Sequence, residues 1–171
     1  MKLYFRGHDY KYAAEQMLLT MFPQERPEYP RGAPEGDRME LSLSSGGRYT
    51  TALCSLYRGG QLYRSRAAAG IPAELGDLEA DRIRQRLIKN AMYRSALKSG
   101  VKKPAWGALT GVRPGKLLEA KLSSGMGEEQ ALRQFVREYD VSPERAALCL
   151  DTSRETMKAA ASLGPRDVCL Y

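Results

Sequence analysis

The chain has 171 residues, 43% of them apolar, and a formal net charge of +7. That is enough for one ordinary domain, or a domain with a small helical appendage, and it is too apolar for a disordered chain. No apolar run reaches the ~20 residues that a membrane span needs. The N-terminus lacks the long apolar core and small-residue cleavage site of a signal peptide, so a cytoplasmic location is expected.

In chain order, residues 2–6 (KLYFR) read as a short strand. Asp9 then stands where its carboxylate can cap a helix. Tyr10, Ala13, Ala14, Met17, Leu18 and Met21 follow at helical spacing and form one apolar face. Pro23 ends that helix, and residues 23–37, rich in Pro, Gly and charge, read as a loop. Met39, Leu41 and Leu43 alternate with Glu40, Ser42 and Ser44, the period of a half-buried strand. SSGG turns the chain into a strand over 49–57 (YTTALCSLY), and RGG turns it into another over 61–67. The three form an antiparallel meander, which the first strand joins.

A long amphipathic helix is expected over residues 77–98. Ala80, Ile83, Leu87, Ile88, Ala91 and Met92 point inward, and Arg82, Arg86 and Lys89 form a solvated basic stripe. KSGVKKP breaks the pattern and marks a subdomain boundary. Beyond it Pro114 can open a helix through Leu122. Residues 128–139 place Leu132, Phe135, Val136 and Tyr139 on one face. Ser142-Pro143-Glu144 starts a last helix that runs to about Leu163. DVCLY, at the end, reads as the beginning of a strand. The expected fold is α+β: a mostly antiparallel four-stranded sheet with two helices over residues 1–100, then a small helical subdomain over 101–171.

The segment WGALTGVRPGK holds the one Trp of the chain, Trp106, with Thr110, Gly111, Arg113 and Lys116. It is not a nucleotide P-loop. Three residues, not four, separate Gly111 from Gly115, and Leu117 stands where Ser or Thr would bind Mg²⁺. Two readings remain. Backbone N–H groups at a helix start, with Arg113 and Lys116 beside them, can hold a phosphate or carboxylate. Alternatively the segment is a packed structural junction between the subdomains, anchored by Trp106, and this second reading is favoured.

Positive charge suits acidic partners such as nucleic acid or a polycarboxylate. The basic residues are dispersed among Glu and Asp, however, so solvated faces are favoured over a nucleic-acid surface. LYRGGQLYRSR interleaves Tyr57, Arg58, Tyr63, Arg64 and Arg66 in a way that suits base stacking, but hairpin alternation explains it as well. Cys54, Cys149 and Cys169 are too far apart for a CxxC pair, and His8 is the single histidine, so no metal site is expected from this stretch.

WGALTGVRPGKLL resembles the W-G-x-L-T-G-[IV]-R-P-x-K segment of the HemZ-type oxygen-independent coproporphyrinogen III oxidases, members of the radical-SAM superfamily. FVREYDVSPERAALCLD is similar to the helical region that follows it there, FRGHDYKYAAEQMLLTMFP to the family's N-terminus, and DVCLY to the lead-in to the barrel. The resemblance implies an N-terminal accessory region whose partner is its own C-terminal radical-SAM barrel. In the family a C-x-x-x-C-x-x-C motif beyond this point binds a [4Fe–4S] cluster used with S-adenosylmethionine. No catalytic, cofactor or metal residue carries over to this chain, which alone is expected to be inactive. The implied parent reaction is oxidative decarboxylation of coproporphyrinogen III to protoporphyrinogen IX in haem synthesis, with a tetracarboxylate porphyrinogen as substrate. A haem chaperone of the same superfamily and a basic nucleic-acid-binding module are the alternatives.

Overall fold

A computed structural model describes residues 1–47, 49–110 and 113–164. It divides into two compact units, Met1–Pro104 and Ala105–Tyr171.

The first unit begins with β1 (Lys2–Arg6) and α1 (Lys11–Met21), continues through β2 (Arg38–Gly46), β3 (Tyr49–Arg58) and β4 (Gln61–Gly70), and closes with α2 (Asp77–Lys98). The strands form one sheet in the order β1-β2-β3-β4. This is α+β, as the patterning implies, but the sheet is mixed. β2–β3 and β3–β4 are antiparallel, whereas β1 runs parallel to β2, with Leu3 opposite Met39 and Phe5 opposite Leu41. The intervening chain explains the parallel pair. Hairpins give antiparallel neighbours, whereas a strand followed by a crossover helix returns in the same direction, and α1 with residues 23–37 is that crossover.

Strand alternation sorts the sheet into two faces. Leu3, Met39, Leu41, Cys54, Leu56 and Ala67 are buried on one. Ala14, Met17 and Leu18 of α1 and Ile88, Ala91 and Met92 of α2 are fully buried as well, so the helical spacing and the strand spacing converge on one core. The Ser95 hydroxyl of α2 donates to the Cys54 carbonyl at 3.1 Å, pinning helix to sheet.

Two local expectations fail. Asp9 does not cap α1. The helix starts one residue after Tyr10, with no side-chain cap, and the Tyr10 N–H instead donates to His8 Nδ1 at 3.2 Å. The Asp9 carboxylate lies 3.4 Å from Lys11 Nζ. The basic stripe of α2 is not uniformly solvated either: Arg82 is exposed, but Arg86 and Lys89 are half-buried. Burial lowers the Lys89 pKa.

The second unit holds α3 (Pro114–Ser123), α4 (Glu128–Tyr139) and α5 (Pro143–Ser162). Its core is Leu118, Ala131, Phe135, Val141, Ala146, Cys149 and Leu150. Ser142 caps α5 through its hydroxyl, which accepts from the Arg145 N–H at 3.4 Å. DVCLY lies outside the described residues. Among the described residues no helix is long and apolar enough to cross a membrane.

Candidate functional site: the WGALTGVRPGK segment

The first half of the segment is fastened to the turn between α4 and α5. The Ala108 N–H donates to the Tyr139 carbonyl at 2.7 Å, and the Ala105 carbonyl accepts from the Ser142 N–H at 2.9 Å. Between them the chain turns on itself, with the Leu109 N–H donating to the Trp106 carbonyl at 3.0 Å. Gly107 makes this approach possible. Its φ is +57°, and a Cβ there would stand 2.2 Å from the Tyr139 carbonyl oxygen and 2.3 Å from that of Asp140. Trp106 is half-buried and packs against the core of the second unit, with the Arg145 guanidinium 5.5 Å from its ring centroid.

The second half starts α3. Gly111 lies outside the described residues. Arg113 occupies the N-cap position in the left-handed region, at φ 66° and ψ 62°, and Pro114 follows as the first helical residue. The Arg113 carbonyl accepts from the Lys116 N–H at 3.1 Å. The Ser153 hydroxyl of α5 donates to the Gly115 carbonyl at 3.2 Å, and Leu118 is fully buried one turn on. The side chains of Arg113 and Lys116 are exposed. No acidic residue stands in the first turn of α3, and no side chain caps it. Thr110 is half-buried, and its Oγ1 has no hydrogen-bond partner among the described residues.

The structure thus brings Trp106 and the turn that precedes Thr110 onto the α4–α5 connection, and sets Arg113 and Lys116 at the head of α3. Chemically the segment offers two solvent-facing cations at the head of α3, a setting that favours an anion, and the Glu119 carboxylate of the next turn reaches back to within 3.6 Å of where a Cβ on Gly115 would stand.

Sequence reasoning passed over a second polar constellation, in the first unit. The turn from β1 to α1 carries His8 and Tyr10, whose rings stack at 5.5 Å. The Tyr10 hydroxyl donates to Asp81 Oδ1 at 2.6 Å, and Gln85 Nε2 donates to Asp81 Oδ2 at 2.6 Å. Burial and the Asp81 carboxylate raise the Tyr10 pKa. Burial also lowers the pKa of His8, partly offset by the Leu41 backbone carbonyl and the charge of Asp9. Beside them Gly7, Asp9, Leu43, Ser45 and Arg84 line an open cleft of about 430 Å³. The signal available in the sequence was the i, i+4 spacing of Asp81 and Gln85, but their meeting with Tyr10 is a tertiary fact.

Neither described cysteine is placed as a ligand. Cys54 is fully buried, and burial pushes its thiol up to about 12. Cys149 belongs to the core of the second unit, where burial raises its pKa. Among the described residues no group of His, Cys, Asp and Glu could hold a metal ion.

Over 43 residues the chain is 49% identical to the oxygen-independent coproporphyrinogen-III oxidase-like protein HemZ of Bacillus subtilis (strain 168). The aligned stretch covers 25% of this chain and 9% of that protein. No family model matches the chain, and no solved structure matches it.

Proposed function

We propose that this chain is the N-terminal accessory region of a HemZ-like protein, a relative of the coproporphyrinogen-oxidase-like radical-SAM proteins. The carrying observation is the 49% identity over 43 residues. The proposed parent reaction is oxidative decarboxylation of coproporphyrinogen III, in which S-adenosylmethionine and a [4Fe–4S] cluster would supply the radical chemistry and the protein would supply position and shielding.

The two cysteines among the described residues do not fit that cluster. Cys54 sits inside a core with a thiol held far from its thiolate form, and Cys149 belongs with Leu150 and Phe135 to another core cluster. A cluster needs thiolate ligands converging on one point. The chain's own role in this reading is architectural. The WGALTGVRPGK segment clamps the α4–α5 turn and launches α3, and Arg113 and Lys116 are the cations it turns toward solvent for a carboxylate-bearing ligand.

The test is made on the full-length protein, purified and reconstituted anaerobically. Coproporphyrinogen III should be converted in the presence of S-adenosylmethionine, with 5′-deoxyadenosine formed alongside. A version beginning after residue 171 should retain the iron–sulfur absorbance but lose turnover. A full-length protein that holds no iron–sulfur cluster after reconstitution would remove this reading.

A further inference from the structure

Strand pairing gathers residues that are dispersed in the sequence. The sheet face opposite the core carries Lys2, Tyr4 and Arg6 from β1, Arg38, Glu40 and Ser42 from β2, Tyr57, Ser55 and Thr51 from β3, and Arg64 and Arg66 from β4, as the register dictates. Neither helix of the unit covers this face. Residues 33–35 touch only its β1 margin, where the Lys2 ammonium meets Glu35 at 3.2 Å and the Tyr4 hydroxyl reaches the Ala33 carbonyl at 3.5 Å.

Five strand cations lie here, and Glu40 is the single strand carboxylate. Arg38 spends its charge on Glu40 at 2.7 Å, and its guanidinium lies 3.6 Å over the Tyr57 ring centroid. Lys2 is engaged with Glu35. That leaves Arg6, Arg64 and Arg66, all exposed and with no carboxylate partner among the described residues. Ser55 accepts from Arg64 Nε at 3.1 Å, which orients the guanidinium across the face instead of along the edge.

We infer that this sheet face, left open by its own unit's helices, is a binding surface for single-stranded RNA. The charge is complementary to a phosphate backbone, and the Arg38–Tyr57 stack beside exposed arginines is the cation-and-ring interleaving that single strands use. Between the cations the face offers the hydroxyls of Ser42, Thr51 and Tyr57, which can bond 2′-hydroxyls. An acidic protein is the lesser fit, because a protein interface wants an apolar centre. Here the apolar residues are scattered, Leu53 half-buried and Leu62 apart from it on β4. Hairpin alternation, which accounts for the Tyr/Arg pattern of residues 57–66, is also what delivers Arg64 and Arg66 to one side.

The 171-residue chain is titrated into a labelled single-stranded RNA by fluorescence anisotropy at several salt concentrations. With three engaged cations the log–log salt slope should be about −2. Arg66→Glu and Arg6→Glu should each weaken binding several-fold, and the Arg64→Glu/Arg66→Glu pair at least tenfold. Circular dichroism on each variant checks that the sheet is intact. Arg133→Glu/Arg137→Glu, an equal charge change on α4, should leave binding unchanged. Four outcomes overturn the inference: no binding at low salt, equal losses from the α4 pair, tighter binding of the same sequence as DNA or as a duplex, and tighter binding of an acidic peptide.

Discussion

Gly107 bears the tightest steric demand in the second unit. A Cβ at that point meets backbone oxygens at 2.2 and 2.3 Å, and backbone cannot swing aside as a side chain can. Gly107→Ala should therefore destabilise the unit by more than about 3 kcal/mol, combining a left-handed φ with overpacking. Trp106→Ala should cost less than a full core truncation, about 2 kcal/mol, because the ring is only half-buried. Arg113 works the other way. It is a non-glycine residue at φ 66°, immediately before a proline, with its side chain in solvent. Arg113→Gly should raise stability by up to about 1 kcal/mol, relief of left-handed strain exceeding the added freedom of the unfolded chain. Urea titrations of the three variants beside the wild type check all three signs. In the first unit His8 makes a pH-dependent contribution. Burial holds its pKa below the ordinary 6.5, so the folded state favours the neutral ring. The stability this gives is complete above the ordinary value and is lost as pH falls through the folded one. His8→Asn keeps an acceptor for the Tyr10 N–H and removes the titration. The urea midpoint of the wild type should drop more than that of His8→Asn between about pH 7.5 and about pH 5.5. Equal drops would show that His8 has no part in the acid sensitivity.

At the scale of elements, the sheet has two edges and both are occupied. Along β1 the Leu3 N–H donates to the Glu28 carbonyl at 2.8 Å and the Glu28 N–H to the Met1 carbonyl at 3.0 Å, while the terminal ammonium binds Glu25. Along β4 two basic side chains of α2 reach over the rim. Arg94 donates to the Arg66 carbonyl at 3.0 Å and Lys98 to the Arg64 carbonyl at 2.6 Å. Alternate carbonyls of an edge strand are the groups a second chain would pair with, and charge placed on them discourages pairing. Replacing both Arg94 and Lys98 with Ala should raise light scattering on incubation well above wild type while lowering the urea midpoint little. Unchanged scattering would assign edge protection to something else. These contacts also show what local pattern can and cannot carry. Helix α4 has the bounds its apolar spacing implies, and α5 begins where Ser142-Pro143-Glu144 places it, because caps and amphipathic faces are local. The parallel register of β1 on β2 depends on partners far apart in sequence, and so does the burial of Lys89. The site divides the same way. The helix start at Pro114 was legible from the proline, whereas the left-handed Arg113 and the bonds from Ala105 and Ala108 to the α4–α5 turn follow from packing that no short window contains.

For the molecule as a whole, the two units differ most in how much core each commands. Met1–Pro104 has a sheet whose inner face is sealed by two helices, with Leu3, Met17, Leu18, Met39, Leu41, Leu56, Ile88 and Met92 all within 2% of full burial. Among its described residues, Ala105–Tyr171 rests on a small cluster around Phe135, Leu118 and Val141. Along α5 that cluster ends at Leu150 and burial ends at Ser153, and the residues from Glu155 to the helix end are exposed. Conformational entropy rises with every ordered residue, while burial rises only where faces meet. A three-helix unit with one thin core is therefore left with little surplus, and units of this size rarely hold more than about 3–5 kcal/mol without a staple. Its clamps, the Gly107 turn and the Ser153–Gly115 bond, matter in proportion. The expected result is asymmetric. A fragment of residues 1–104 should show one cooperative urea transition with full ellipticity. A fragment of residues 105–171 should unfold with a stability of no more than about 3 kcal/mol and respond strongly to Gly107→Ala. A first fragment that binds hydrophobic dye and melts without a transition would mean that its core, for all its burial, does not close on its own residues.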